Sequence, residues 1–306
     1  MSFYRNLKST TGNINNLVVS LLILSLSICA GTQAKIANPY PVAVLRQGDI
    51  YLLKGNNDWQ QLTFTGDVAE ICWLDPETIC CSREMDSGLS DQDAWHGLTS
   101  FRDLFTISKN GGAIKQFTVH HFASEPAPGT IDGRAFFTHR LSFGNYETEI
   151  WETIRPLIRA RSLGIRGRLP DGSPDHKWTA AALTDTIGGV GLYRYPTNDA
   201  YRKLTGSFTR PRFSPNGAVL SYLNYESGEA EIWAYEIPDG EPKKICGAPE
   251  EGTAIMDFGW TEDGSGFILV LRRPDLKRDL YYYNIVEKRL QRLSEFGDII
   301  QATSWH

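Results

Sequence analysis

Short apolar runs cut by turn residues recur along this chain at a fixed spacing, most clearly in residues 207–246. From Glu231 to Glu236, Ile232, Ala234 and Glu236 alternate with Trp233 and Tyr235, the period of two that marks a strand. Arg210–Phe213 and Ala218–Asn224 predict two more strands around Ser214-Pro215-Asn216-Gly217. That is a tight turn, in which glycine takes positive φ at little cost. After Pro238-Asp239-Gly240, Lys243–Cys246 supplies a fourth strand.

Residues 256–294 repeat this layout. Met256–Trp260 leads into the turn Thr261-Glu262-Asp263-Gly264, followed by Phe267–Leu271, Asp279–Asn284 and Gln291–Ser294. Each copy takes about 45 residues, a propeller-blade period. Weaker copies fill the rest. Glu70–Trp73, Ile79–Arg83, Leu104–Ser108 and Ile114–Thr118 make one. His120–Ile154 with Leu157–Leu163 makes an irregular one, and Gly164–Leu169, Trp178–Thr184, Gly191–Tyr195 and Tyr201–Thr205 a third. None has the apolar 3.6 period of a long helix.

The ends complete the count. Pro41–Arg46, Asp49–Leu53 and Trp59–Thr63 are three strands lacking a first, and Ile299–Trp305 is a first strand lacking successors. Together they predict one blade built from both termini, a closure that removes exposed sheet edges. The fold expected is therefore all-β: a six-bladed β-propeller of four-stranded antiparallel blades. A seventh blade would need an extra hairpin within 119–165.

The repeat resembles that of TolB-type propellers: a Pro-x-Trp-Ser-Pro-Asp-Gly turn, an apolar strand, an Ile-Tyr or Ile-Trp strand and a closing Leu-Thr. The matching residues are Pro211, Phe213 to Gly217, Ile232-Trp233 and Trp260 to Gly264, with Leu62-Thr63 and Leu204-Thr205 closing other copies. The resemblance implies work at the cell envelope with partners docking on one propeller face. The separate N-terminal domain that TolB carries ahead of its propeller has no counterpart in this pattern, so no specific partner is carried over.

Arg5 and Lys8 precede a charge-free apolar run, Leu17–Ala30, of signal-peptide rather than membrane-span length. Thr32-Gln33-Ala34 offers a cleavage pattern, which divides the chain into a signal, 1–34, and a propeller, 35–306. An uncleaved anchor is the alternative. Leu26-Ser27-Ile28-Cys29 resembles a lipobox, but bulky Ile28 stands where a small residue belongs, so lipidation at Cys29 ranks below cleavage. The predicted location is periplasmic or secreted, with the membrane met only through these segments.

Charge and cysteine content narrow the function. The net charge is −5, and without the two positive charges of the signal it is −7. A mildly acidic chain lacks the clustered positive field of a nucleic-acid binder. Cys72, Cys80 and Cys81 flank the turn Leu74-Asp75-Pro76-Glu77, which puts Cys72 opposite one of the other two. They read either as buried small hydrophobes or as a cross-strand bridge. No Cys/His spacing suggests zinc, and adjacent His120 and His121 point to opposite faces of a strand. Neither a metal nor another cofactor is expected.

In a propeller the first strand of each blade lines the central channel. With Trp73, Leu169, Phe213 and Trp260 taken as equivalent, the residues three before them are Glu70, Arg166, Arg210 and Asp257. These four charges are the candidate channel-mouth binding residues. The insertion 84–100 carries Glu84, Asp86, Asp91 and Asp93, whose spacing fits no calcium loop, and ends near Trp95 and His96, a candidate contact patch on the same face. No nucleophile elbow, HExxH or phosphate loop is present, so no catalytic residue is assigned. The expectation is a monomeric, non-catalytic scaffold for an envelope protein or a glycan or small ligand. The alternative is a hydrolase or lyase on carbohydrate or peptide, since a carboxylate pair drawn from different blades leaves no local motif.

Overall fold

The computed structural model describes residues 41–55, 58–85, 101–119, 122–131, 133–141, 147–185 and 188–304. The signal segment with Cys29, most of the 84–100 insertion with Trp95 and His96, and His120 and His121 lie outside them.

All regular structure among the described residues is β. The chain begins with β1 (Val42–Arg46), β2 (Asp49–Leu53) and β3 (Trp59–Gln61). A second sheet follows in order: β4 (Val68–Asp75), β5 (Thr78–Met85), β6 (Phe101–Ser108) and β7 (Lys115–Gln116). Next come β8 (Ala123–Pro128), β9 (Ala135–Arg140), β10 (Thr148–Arg155), β11 (Arg159–Gly172), β12 (Trp178–Leu183), β13 (Val190–Arg194) and β14 (Asp199–Leu204). Two regular sheets succeed them. One holds β15 (Phe208–Phe213), β16 (Val219–Asn224), β17 (Glu231–Glu236) and β18 (Lys243–Cys246). The other holds β19 (Ala254–Trp260), β20 (Gly266–Arg272), β21 (Arg278–Asn284) and β22 (Arg289–Arg292). Finally β23 (Ile299–Ser304) pairs with β1, so both ends of the propeller chain share one sheet.

Four sheets have four strands each, but β8–β14 form a single seven-stranded sheet. This corrects the expectation of six separate four-stranded blades. The physical reason is β11, which runs unbroken for 14 residues. Its first part, to Arg166, pairs with β10, and from Gly167 it pairs with β12. One strand thus serves as the last of one unit and the first of the next.

Six first strands nevertheless form a closed ring: β4 touches β8, then β11, β15, β19 and β23, which returns to β4. Each carries a one-residue bulge against its partner strand, at 68–70, 124–127, 168–171, 209–212, 255–257 and 299–301. A bulge bends and re-aims a strand. In three strands it falls on a left-handed residue before proline: Glu125, Leu169 and Arg210, with φ of 51°, 51° and 52°. Left-handed backbone is costly for any residue with a Cβ, so surrounding contacts must hold it.

The core lies between adjacent sheets. Leu45 and Ile50 pack with Ile71 and Ile79, and Leu223 and Ile232 pack with Phe258 and Phe267. Cys72 faces Cys80 directly across β4 and β5, and both, like Cys81 and Cys246, are free and buried. Burial pushes the Cys81 thiol up to about 12 and raises that of Cys80. The three cysteines of this hairpin are packed as small hydrophobes.

Candidate functional site

The bulges place charged side chains at one end of the channel. Ala69, Glu70, Glu125, Arg168, Arg210, Arg212 and Gln301, with neighbouring prolines, line a cavity of about 250 Å³ there. Further in, it narrows to a constriction of about 30 Å³ walled by Trp73, Ala127, Phe258 and Ala302, with Arg212 and Gln301 at the junction. The wider part is a charged vestibule.

Most polar groups in this region bind the backbone of the next first strand. Glu70 accepts a backbone hydrogen bond from Glu125 of β8. Glu125 Oε2 accepts from the Leu169 amide of β11 at 2.9 Å. Asp171 Oδ2 accepts from the Phe213 amide of β15 at 2.7 Å. Asp257 Oδ2 accepts from the Ala302 amide of β23 at 3.3 Å, and Gln301 Oε1 from the Ile71 amide of β4 at 2.9 Å. The remaining junction, β15 to β19, is bridged by Arg210 Nη1 and Asp257 Oδ1 at 3.1 Å. Each junction of the ring thus has a side-chain tie. Buried backbone amides need such partners, so these carboxylates position strands.

The carboxylates are also matched by cations. Arg168 Nε donates to Glu125 Oε1 at 3.0 Å, and Thr138 Oγ1 donates to Glu125 Oε2 at 2.8 Å. Arg102 Nη1 reaches Glu70 Oε1 at 2.7 Å, and Ser82 Oγ donates to the other Glu70 oxygen. Burial still outweighs the Arg102 charge, with help from the neighbouring Glu125 carboxylate, and pushes Glu70 up to about 7. Glu70 therefore stabilises the fold most below its ordinary 4.5, and that contribution is lost as pH rises through about 7. Burial pushes Asp171 up to about 6, against the opposing Arg212 charge.

Of the residues expected at the channel mouth, Glu70 and Arg210 line the vestibule together, and Asp257 sits behind Arg210 as its buried partner. Arg166 does not join them; it is exposed and pairs with Glu147 at 3.0 Å. The misplacement comes from taking Leu169 as the counterpart of Phe213. The turn Ser173-Pro174-Asp175-His176 makes the same contacts as Ser214 to Gly217, so the counterpart is Gly172. Counting three back from Gly172 gives Leu169, whose bulge matches that of Arg210. Glu125, Arg168, Asp171, Arg212 and Gln301 escaped the sequence reading. The signal available was the recurrence of Glu125-Pro126, Leu169-Pro170 and Arg210-Pro211 at the same station.

A closed ring of antiparallel sheets around a channel with a charged vestibule defines a β-propeller. No family model matches the chain. Solved structures with this fold include TolB from Acinetobacter baumannii, 13% identical over 97% of this chain and 74% of that one, with a TM-score of 0.68. A putative TolB from Agrobacterium tumefaciens is 12% identical, over 85% of this chain and 90% of that one, with a TM-score of 0.63. A chain of the nidogen/laminin complex is 9% identical, over 86% and 97%, with a TM-score of 0.65. The fold is that of the TolB propellers, and identities this low speak for fold alone.

Proposed function

We propose that this chain is an exported, non-catalytic scaffold of the cell envelope that receives a protein partner at the vestibule end of its channel. The observation that carries this is the commitment of the channel carboxylates. Glu125, Asp171 and Asp257 are each spent on a backbone amide of the next strand, and Glu125 and Asp257 on an arginine as well. Side chains tied in this way suit a rigid docking rim better than a reaction centre that must exchange protons. The apolar Leu17–Ala30 run supports export. Among the similar structures, the nidogen/laminin complex is a propeller-sized chain captured with a protein partner.

The test is co-purification of the full chain, with and without Arg212→Glu, from cross-linked envelope extract. A stoichiometric partner that is lost with the charge reversal is expected. The same partner recovered at equal yield with both proteins would contradict docking at this end.

A second reading has one observation in its favour. Glu70 holds its proton near neutrality inside an open cavity, as a general acid would. Turnover of a peptide or polysaccharide substrate, abolished in Glu70→Gln, would establish it in place of the scaffold.

A further inference from the structure

One cation at the vestibule is not spent on a carboxylate. Arg212 borders both the vestibule and the constriction. Its hydrogen bond goes to the Pro211 carbonyl at 3.0 Å, and among the described residues it takes part in no ion pair. Asp171 feels its charge but gives Oδ2 to the Phe213 amide. Arg168 and Arg210 converge on the same cavity. Arg168 engages Glu125 through Nε and Nη2, and Arg210 engages Asp257 through Nη1, so each keeps N–H donors for a ligand.

We infer that the vestibule is a carboxylate-binding subsite in which Arg212, flanked by Arg168 and Arg210, receives an acidic side chain of a protein partner. This rests on the scaffold reading and names the chemistry of its partner. Of the three arginines in the lining, Arg168 is paired with Glu125 and Arg210 with Asp257, which leaves Arg212 as the guanidinium with no ion-pair partner among the described residues. The guanidinium fork matches a carboxylate in plane, with two parallel donors. A cavity of about 250 Å³ admits one such side chain with its stem, and exposed Ile300 gives the rim an apolar edge.

The site carries its own pH dependence. Glu70 is faced by Ser82 and the Arg102–Glu84 pair from β5 and β6, by Glu125 from β8, by Arg168 from β11 and by Gln301 from β23. Asp171, pushed up to about 6 beside Arg212, and Glu70, pushed up to about 7, both ionise as pH rises, and each new negative charge competes with the ligand for the arginines. Affinity for a carboxylate therefore falls as pH rises.

Calorimetric titration of the full chain with hexaglutamate, with hexaglutamine and with trigalacturonate tests this at pH 6 and pH 8. Hexaglutamate binding is expected at pH 6, several-fold weaker at pH 8, with no binding of the neutral twin. Arg212→Gln should lose at least about ten-fold in affinity, Arg212→Lys less, and Glu70→Gln should reduce the pH dependence to the part that Asp171 carries. The lysine variant keeps the charge and serves if the glutamine variant does not fold. Equal binding of hexaglutamine, or affinity unchanged in both Arg212 variants, overturns the subsite. Binding of trigalacturonate without hexaglutamate keeps the carboxylate chemistry but overturns the protein source and the scaffold reading. A co-purified partner retained by Arg212→Gln keeps the scaffold and overturns the subsite.

Discussion

In β15–β22 each sheet stands alone, and its first hairpin is set by residues within a few positions of one another. Ser214 Oγ bonds Asn216 and accepts from the Val219 amide, and Thr261 Oγ1 bonds Asp263 and accepts from the Gly266 amide. Gly217 and Gly264, both at φ 69°, turn the chain. In β8–β14 the sheets are fused through β11, and long-range contacts take over. Fully buried Glu152 of β10 accepts from Arg161 Nε at 2.9 Å and from the Tyr195 hydroxyl at 2.8 Å, and pairs with Arg134 at 3.3 Å. Those three partners come from β11, from the chain after β13 and from the approach to β9. Local turn chemistry in one region and a buried charge network in the other hold the same ring.

The network should be the more fragile device. Glu152→Ala strands the arginines and the tyrosine hydroxyl in a part-buried site, and a loss of about 3 kcal/mol is expected in urea unfolding. A loss below about 1 kcal/mol, the range of an exposed pair, would show that the fused sheet does not depend on it.

The turn offers a finer comparison, because one copy sits in each region. Ser173 Oγ bonds Asp175 and accepts from the Trp178 amide, as Ser214 does in the regular sheet. Ser173→Ala and Ser214→Ala should each cost about 1 kcal/mol. Unequal costs would mean that the fused region supports its turn in another way.

The smallest effect expected is a gain. His176, at φ 61°, stands where the regular sheets carry glycine. His176→Gly should leave thermal stability unchanged or raise it by up to about 1 kcal/mol. A clear loss would show that the His176 side chain makes a contact the turn needs.

These contrasts explain what could be read from the chain. Ser214 to Gly217 and Thr261 to Gly264 were legible because their hydrogen bonds close within five residues. The terminal sheet was legible because Ile299–Ser304 reads as the first strand of a blade and Val42–Arg46 as the second, and the two pair. The fusion was not, because the change of partner between Arg166 and Gly167 coincides with no turn; β11 stays in strand through bulges at 162–165 and 168–171 on either side of it. Glu70, Arg210 and Asp257 fall near the channel end at the register an aromatic anchor gives, and Arg166 does not, because Gly172 offers no aromatic to count from. Glu125 and Asp171 were missed because their partners, Leu169 and Phe213, lie more than forty residues away.

The acidic side chains of the channel tie the ring together. Equilibrium unfolding of Glu125→Ala tests this most directly, since Glu125 binds Thr138, Arg168 and the Leu169 amide at once. The ties predict a loss of about 3 kcal/mol, from an unpaired arginine and an orphaned amide. A variant as stable as the parent, or more stable, would contradict them and mark Glu125 as a residue kept for chemistry at the expense of the fold.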